Sequence, residues 1–154
     1  MKQSEMLKEL KELHSDLLRY AAGSDSIVPG AYAEALDAAI ETLDRMTWIS
    51  VKDRLPEVET KVLIRAQWKC GDTINSIITI AFYEDGTVLD DNSRWRWEEI
   101  WEWGEYDEEK DGYRIPKGWW EGCQYGEIGN NDINDEVTHW MPLPEPPKGE
   151  NNGD

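Results

Sequence analysis

The sequence has few of the residues that most often build metal centres or nucleophilic active sites. Its 154 residues include two cysteines, Cys70 and Cys123, and two histidines, His14 and His139. The cysteines form no Cys-x-x-Cys pair, which disfavours a zinc site. The chain also lacks a glycine-rich phosphate loop, a GxSxG elbow and an HExxH motif. The sequence therefore predicts no cofactor, no metal site and no catalytic residue, and a protein that is not an enzyme.

Long apolar stretches and an N-terminal leader are also absent. No run approaches the roughly 20 apolar residues that a membrane helix needs. The chain does not open with a charged segment followed by an apolar core and a cleavage site. These features predict a cytoplasmic protein that makes no membrane contact and keeps its cysteines as free thiols.

Positive charge is scarce. The chain has 16 lysines and arginines against 33 aspartates and glutamates, a net charge of -17, and residues 81–154 hold 20 of the acids but only 6 of the bases. Proteins gain affinity for DNA or RNA from basic side chains that displace counterions, so direct nucleic-acid binding is not expected. A partner with a basic surface is the natural complement. The alternative is that the charge serves solubility alone.

The first third of the chain has the apolar spacing of helices. In residues 4–21, apolar side chains such as Leu13 and Leu17 recur at spacings of three or four residues, which predicts an amphipathic helix. Residues 30–46 show the same spacing in an alanine-rich stretch of high helix propensity. The short link favours an antiparallel helix pair that forms a domain over residues 1–46. A homodimer through these helices is a further expectation.

The pattern changes to β-strands after the second helix. Residues 62–64 are Val-Leu-Ile, and residues 74–83 hold four isoleucines and the phenylalanine, both typical of strands. A last strand is predicted at residues 137–141. The fold class predicted is α+β, in which the helix pair precedes a small antiparallel β-sheet domain with long Trp-rich loops, over residues 47–147. Residues 148–154 are expected to form a disordered tail.

Tryptophan is abundant, with nine residues. Four of them lie at odd-numbered positions within residues 95–103, among several carboxylates. An extended chain would place these four side chains on one face. Tryptophan anchors protein interfaces, and carboxylates form charge-assisted bonds with Arg and Lys. The alternative is that the tryptophans fill the core, as expected for Trp48, Trp119 and Trp140. The predicted partner-binding residues are Trp95, Trp97, Glu98, Glu99, Trp101, Glu102, Trp103, Asp107, Glu108 and Glu109.

Two motifs bracket the β-rich part of the chain. Residues 48–51 (WISV) are followed by residues 54–56 (RLP), and residues 137–147 read VTHWMPLPEPP. Together with the strand at residues 62–64, this pattern resembles the bacteriophage and prophage family catalogued as domain of unknown function 551. The resemblance covers residues 47–147 and implies a phage or prophage origin and a compact β-rich domain. The family has no established activity, so the resemblance assigns no role to any residue.

Charge and resemblance together suggest an interaction protein. We predict a phage-encoded acidic protein that binds and inhibits a host factor, such as a CRISPR nuclease or another nucleic-acid-based defence effector, in the cytoplasm of the infected or lysogenic bacterium. Its carboxylates would mimic nucleic-acid phosphates. The alternative is a small-molecule or carbohydrate binding module that uses the Trp-rich segment. A third hypothesis is a hydrolase that holds magnesium on a carboxylate pair such as Asp90/Asp91 or Glu98/Glu99.

Overall fold

A computed structural model describes residues 3–23, 28–123 and 129–146. The chain divides into two compact units, one containing Met1–Thr47 and Pro144–Asp154 and the other Trp48–Leu143. The domain boundaries predicted from the sequence stay a prediction, and the tail predicted at residues 148–154 lies outside the described residues.

The first unit contains the predicted helix pair, α1 (Gln3–Ala22) and α2 (Val28–Arg45). An ion pair joins Lys11 Nζ to Asp44 at 2.9 Å, and His14 lies 4.0 Å from Asp37. Because later residues of α1 face earlier residues of α2, the two helices are antiparallel, as predicted. Ala33 and Ile40 of α2 are buried. Within the described ranges, neither helix is long and apolar enough to cross a membrane.

The second unit contains an antiparallel sheet, which confirms the predicted α+β class. Its strands are β1 (Ile49–Ser50), β2 (Val62–Cys70), β3 (Thr73–Glu84), β4 (Glu105–Asp107), β5 (Gly112–Arg114), β6 (Gly118–Cys123), β7 (Gly129–Asp132) and β8 (Glu136–Pro142). Six strands are ordered β1-β8-β2-β3-β6-β7, and β4 and β5 form a separate two-stranded sheet. All of these pairings are antiparallel. A short helix, α3 (Ile100–Trp103), precedes the small sheet.

The two motifs at the ends of the β-rich region meet in the structure. Ile49 of β1 lies opposite Trp140 of β8 in the sheet. The Trp140 indole Nε1–H donates a hydrogen bond to the Arg54 carbonyl at 2.9 Å, and the Arg54 guanidinium lies 5.5 Å from the centre of the Trp140 ring. The tryptophan of the closing motif therefore fastens the RLP turn of the opening motif to the sheet.

The sheet has an apolar core on each face. Successive side chains of a strand point to opposite faces, so Ala81 and Phe82 of β3 enter different cores. Ala81 packs with Val62, Ile64, Ala66, Val137 and Trp140. Phe82 packs with Ile100, Ile115 and Trp120, and with the partly buried Trp95, Trp97, Val88 and Tyr113. The second core positions the Trp-rich segment.

Candidate functional site

Glu59 and Ser93 anchor the start of the Trp-rich segment. The Ser93 hydroxyl donates a hydrogen bond to the buried Glu59 carboxylate, and the Arg94 backbone N–H donates to the same oxygen at 2.9 Å. The Ser93 oxygen in turn accepts hydrogen bonds from Trp97 Nε1 at 2.9 Å and from the Trp95 backbone N–H at 3.1 Å. Bonds to a carboxylate are stronger than neutral ones, so this network holds the first two tryptophans in place.

Three of the four predicted tryptophans join one aromatic cluster. The Trp95 ring stacks on Phe82 with centroids 5.0 Å apart. Trp97 lies edge-on to Trp120 at 4.9 Å and to Trp103 at 5.8 Å, and Trp103 lies 5.5 Å from Trp120. Edge-to-face pairs of this kind are the favoured arrangement of aromatic rings. The segment 95–103 is therefore wrapped against β3 and β6 and is not extended.

Trp95 is packed inside this cluster. Its ring contacts Phe82 and also lies 4.4 Å from Lys61 Nζ, a cation–π distance. Its indole Nε1 is buried without an acceptor among the described residues. The structure thus uses Trp95 for packing, whereas Trp101 is turned outward.

A single turn of helix presents the outward tryptophan. Glu99 adopts the left-handed conformation at φ 53°, and α3 begins at the next residue, Ile100, which is buried. Trp101 is 63% exposed and Trp103 is 40% exposed. The helix ends at Gly104, where an added Cβ would lie 2.7 Å from Ile100 Cγ1, so only glycine fits there without a shift. Burial of Ile100 places Trp101 on the solvent side.

We call the exposed residues around α3 the acidic aromatic surface. Every member is exposed to solvent, and Arg96 Nε lies 3.9 Å from the Glu98 carboxylate. Residues of this kind suit an interface in which aromatic rings supply buried area and carboxylates meet cations. The surface consists of Glu98, Glu99, Trp101, Glu102 and Trp103.

In the acidic stretch that follows, Asp107 is buried and the next two carboxylates are exposed. The Asp107 carboxylate is paired with Arg114 at 2.5 Å and accepts the backbone N–H groups of Glu109 at 3.1 Å and Lys110 at 3.2 Å. Its hydrogen bonds with Arg114 hold the pKa of Asp107 below its ordinary value. Asp107 therefore closes the turn between β4 and β5. Glu108 and Glu109 are exposed on that turn.

A cleft of about 530 Å³ opens beside the aromatic cluster. Trp97, Trp103 and Trp120 line it, while Trp101 does not. This volume falls within the range of small-ligand sites. The polar lining combines two carboxylates, a lysine and three amides, namely Glu98, Asp132, Lys117, Asn130, Asn131 and Asn134. The amides come from the turn-rich stretch around β7, which no sequence signal linked to the tryptophans.

Glu84 is a fully buried carboxylic acid at the end of β3. Neither carboxyl oxygen has a hydrogen-bond partner among the described residues. Burial, and then the charges of Glu59 and Asp85, raise the pKa of Glu84 to about 8. The side chain is therefore mainly protonated at neutral pH, which avoids placing a second charge beside Glu59 in an apolar region.

Within residues 3–23, 28–123 and 129–146, no three His, Cys, Asp or Glu side chains come together in a way that could hold a metal ion. Asp90 uses a carboxylate oxygen to accept the Tyr113 backbone N–H at 3.0 Å.

Comparison with protein families gives a match over the β-rich part of the chain. The family described as "Protein of unknown function (DUF551)" matches residues 47–148. No curated protein and no solved structure matches the chain significantly.

Proposed function

Since the chain belongs to this family of proteins of unknown function, we propose from its geometry that it is an acidic interaction protein that binds a basic surface of a host protein. The acidic aromatic surface makes the contact, and Trp101 is its anchor. A phage-encoded inhibitor of a nucleic-acid-based defence effector, such as a CRISPR nuclease, is the form of this proposal that accounts for both the charge and the family resemblance.

The observation that carries the proposal is the exposure of Trp101. Its neighbours Ile100 and Trp103 both contribute to the apolar core or the aromatic cluster, whereas Trp101 is 63% exposed. An exposed tryptophan adds nothing to the core, but it is enriched at interfaces, where its large area becomes buried. Trp101 on this turn therefore has the placement of an interface anchor.

The surrounding charge indicates which partner fits. Glu98, Glu99 and Glu102 are exposed beside Trp101, within a chain of net charge -17. An Arg or Lys of a partner can pair with a carboxylate and lie against an indole ring at the same time. A protein surface that binds nucleic acid is rich in such cations. Carboxylates seated there would block access of the nucleic acid and inhibit the partner.

The test is a paired capture experiment. Tagged wild-type protein, Trp101→Ala and Trp68→Ala are each incubated with nuclease-treated host lysate at low and high salt, and bound proteins are identified by mass spectrometry. Trp68 is the matched control, because it is an exposed tryptophan on β2 outside the acidic aromatic surface. We expect a nucleic-acid-handling protein that Trp101→Ala fails to retain and Trp68→Ala still captures.

Binding of that protein should then be measured with purified components. Loss of Trp101 is expected to weaken binding at least about 30-fold, as for a hot spot of 2 kcal/mol. Added salt should also weaken it, because the attraction between exposed charges is screened. Equal retention by the two variants, or binding that salt leaves unchanged, would contradict the proposal.

A second candidate, a small-molecule or carbohydrate binding module, is favoured by the cleft. Its indole rings could stack on a sugar face while the nearby amides bond hydroxyl groups. Trp103 lines the cleft and Trp101 does not, so the two alanine variants separate the candidates. Saccharide titration monitored by tryptophan fluorescence should give saturable quenching in Trp101→Ala and none in Trp103→Ala if the cleft is a sugar site. Absence of quenching in the wild type would remove this candidate.

A further inference from the structure

The first half of β3 is an uncharged, exposed strand. Residues 73–83 form a run of eleven without Asp, Glu, Lys, Arg or His in a chain of net charge -17. Ile74 is 65% exposed and Ile78 is 59% exposed on one face, while Ile77 is exposed on the other. Native proteins often carry charged side chains on strands with a free edge, because the charge prevents pairing with another chain. This half of β3 has no such charge.

One edge of this half-strand has no strand beside it in the described part of the chain. β2 pairs with β3 from Thr73 to Ala81 on one side. On the other side, β6 pairs only with Phe82, Tyr83 and Glu84. The Thr79 hydroxyl donates to the Glu121 carboxylate of β6. We call residues 73–78 the open edge, because no strand of the described residues lies beside them on this side. Its backbone groups are a template for another strand.

We propose that residues 73–78 pair antiparallel with the same residues of a second copy, which joins two sheets across a two-fold axis. The absence of charge within the strand itself favours this occupant. A basic or acidic partner strand would find no opposite charge on residues 73–83, whereas a second copy brings an equally uncharged strand and places no like charges directly opposite each other. The contact is isologous and closes at two copies.

The spacing of the isoleucines suits one register. If Ser76 lies opposite Ser76 of the second copy, then Ile74 faces Ile78 of that copy on the same side of the sheet, and the reverse pair forms as well. These are two of the most exposed isoleucines of the strand. Directly opposed β-branched side chains are a stabilising cross-strand pair, and their apolar area leaves water.

Salt distinguishes this contact from the one with a basic host protein. Two copies of a chain with net charge -17 repel each other, and salt screens that repulsion without weakening an uncharged contact. Raising salt from about 50 mM to about 500 mM should therefore tighten self-association several-fold. The same change should weaken binding of a basic partner.

The experiment is sedimentation of the full chain over a concentration series at both salts. We expect a monomer–dimer equilibrium that shifts to dimer at high salt, and a monomer at both salts for the double variant Ile74→Lys/Ile78→Lys, since two lysines would then face each other. The control, Leu18→Lys, changes an exposed leucine of α1 and should behave as wild type. The same variant also tests the homodimer that the sequence predicted through the N-terminal helices, because Leu18 lies on α1.

A cross-link keeps the proposal testable if the lysine variant fails to fold. Ser76→Cys in a Cys70→Ser/Cys123→Ser background should form a disulfide-linked dimer under mild oxidation, because opposed strand residues lie within disulfide reach. Ile80→Cys in the same background lies outside the open edge and should cross-link far less. A monomeric wild type at both salts, a dimer lost in Leu18→Lys, or equal cross-linking at positions 76 and 80 would overturn the proposal.

Discussion

Phe82→Ala is expected to destabilise the β-rich unit by about 3–5 kcal/mol, as large-to-small core changes do. Phe82 is fully buried, stacks on Trp95 and meets the edge of Trp97 at 5.9 Å. It also packs with Ile100, which precedes Trp101. The cavity would therefore loosen the whole aromatic cluster. Urea denaturation followed by tryptophan fluorescence measures the loss, together with a fall in near-ultraviolet circular dichroism.

The matched comparison for this variant is Trp101→Ala. Both changes remove one aromatic ring from the same region, but Trp101 is exposed, so its loss should alter the free energy of unfolding by less than about 0.5 kcal/mol. That result would also establish that the variant used for the binding test is folded. A stability change of less than 1 kcal/mol for Phe82→Ala, or a large change for Trp101→Ala, would contradict the assignment of one ring to the core and the other to the surface.

The second large effect is a pH dependence that Glu84 imposes on stability. Its pKa is about 8 in the folded protein against an ordinary 4.5. Between these values the folded state holds a proton that the unfolded state has released. The contribution of Glu84 to stability is thus fully present below pH 4.5 and is lost as pH rises through 8. The slope is at most about 1.4 kcal/mol per pH unit, or up to about 4 kcal/mol between pH 5 and pH 8.

The measurement compares wild type with Glu84→Gln across this range. Glutamine has nearly the same shape but does not ionise, so its free energy of unfolding should lack this component. The difference between the two curves, and not either curve alone, reports Glu84, because the other acids titrate in both proteins. Carboxyl carbon chemical shifts would give the pKa directly. Parallel stability curves, or a carboxyl that titrates near 4.5, would show that Glu84 is ionised in the folded protein.

Local pattern predicted the regular elements well. The apolar spacing around Leu13 and Leu17 belongs to a helix that does form, and the isoleucine-rich run beginning at Ile74 is a strand. Both patterns report how one element buries a face, which is a property of neighbouring residues in the chain. For residues 95–103 the sequence predicted a long Trp-rich loop and no regular element. The structure forms a short helix within this segment, which begins at Ile100 because that side chain is buried in the second core.

The candidate site depended on contacts between residues that are distant in the chain. Composition alone indicated the tryptophans and carboxylates as candidate partner-binding residues. Their division into packed and outward groups followed from the Glu59–Ser93 bond and from the packing of Trp97 on Trp120. The inward role of Asp107 follows from its pairing with Arg114. Such contacts leave no periodic signal in the sequence.

The sequence by itself determined the α+β class, the helix pair, the main strands, the acidic charge and the family resemblance, because each rests on local spacing, composition or a contiguous motif. Tertiary structure alone decided that Trp95 is covered while Trp101 is exposed. It also decided that Glu84 is buried with no hydrogen-bond partner among the described residues, and that no described strand lies beside the first half of β3 on one side. The physical reason is that burial is set by what packs against a residue from elsewhere in the chain.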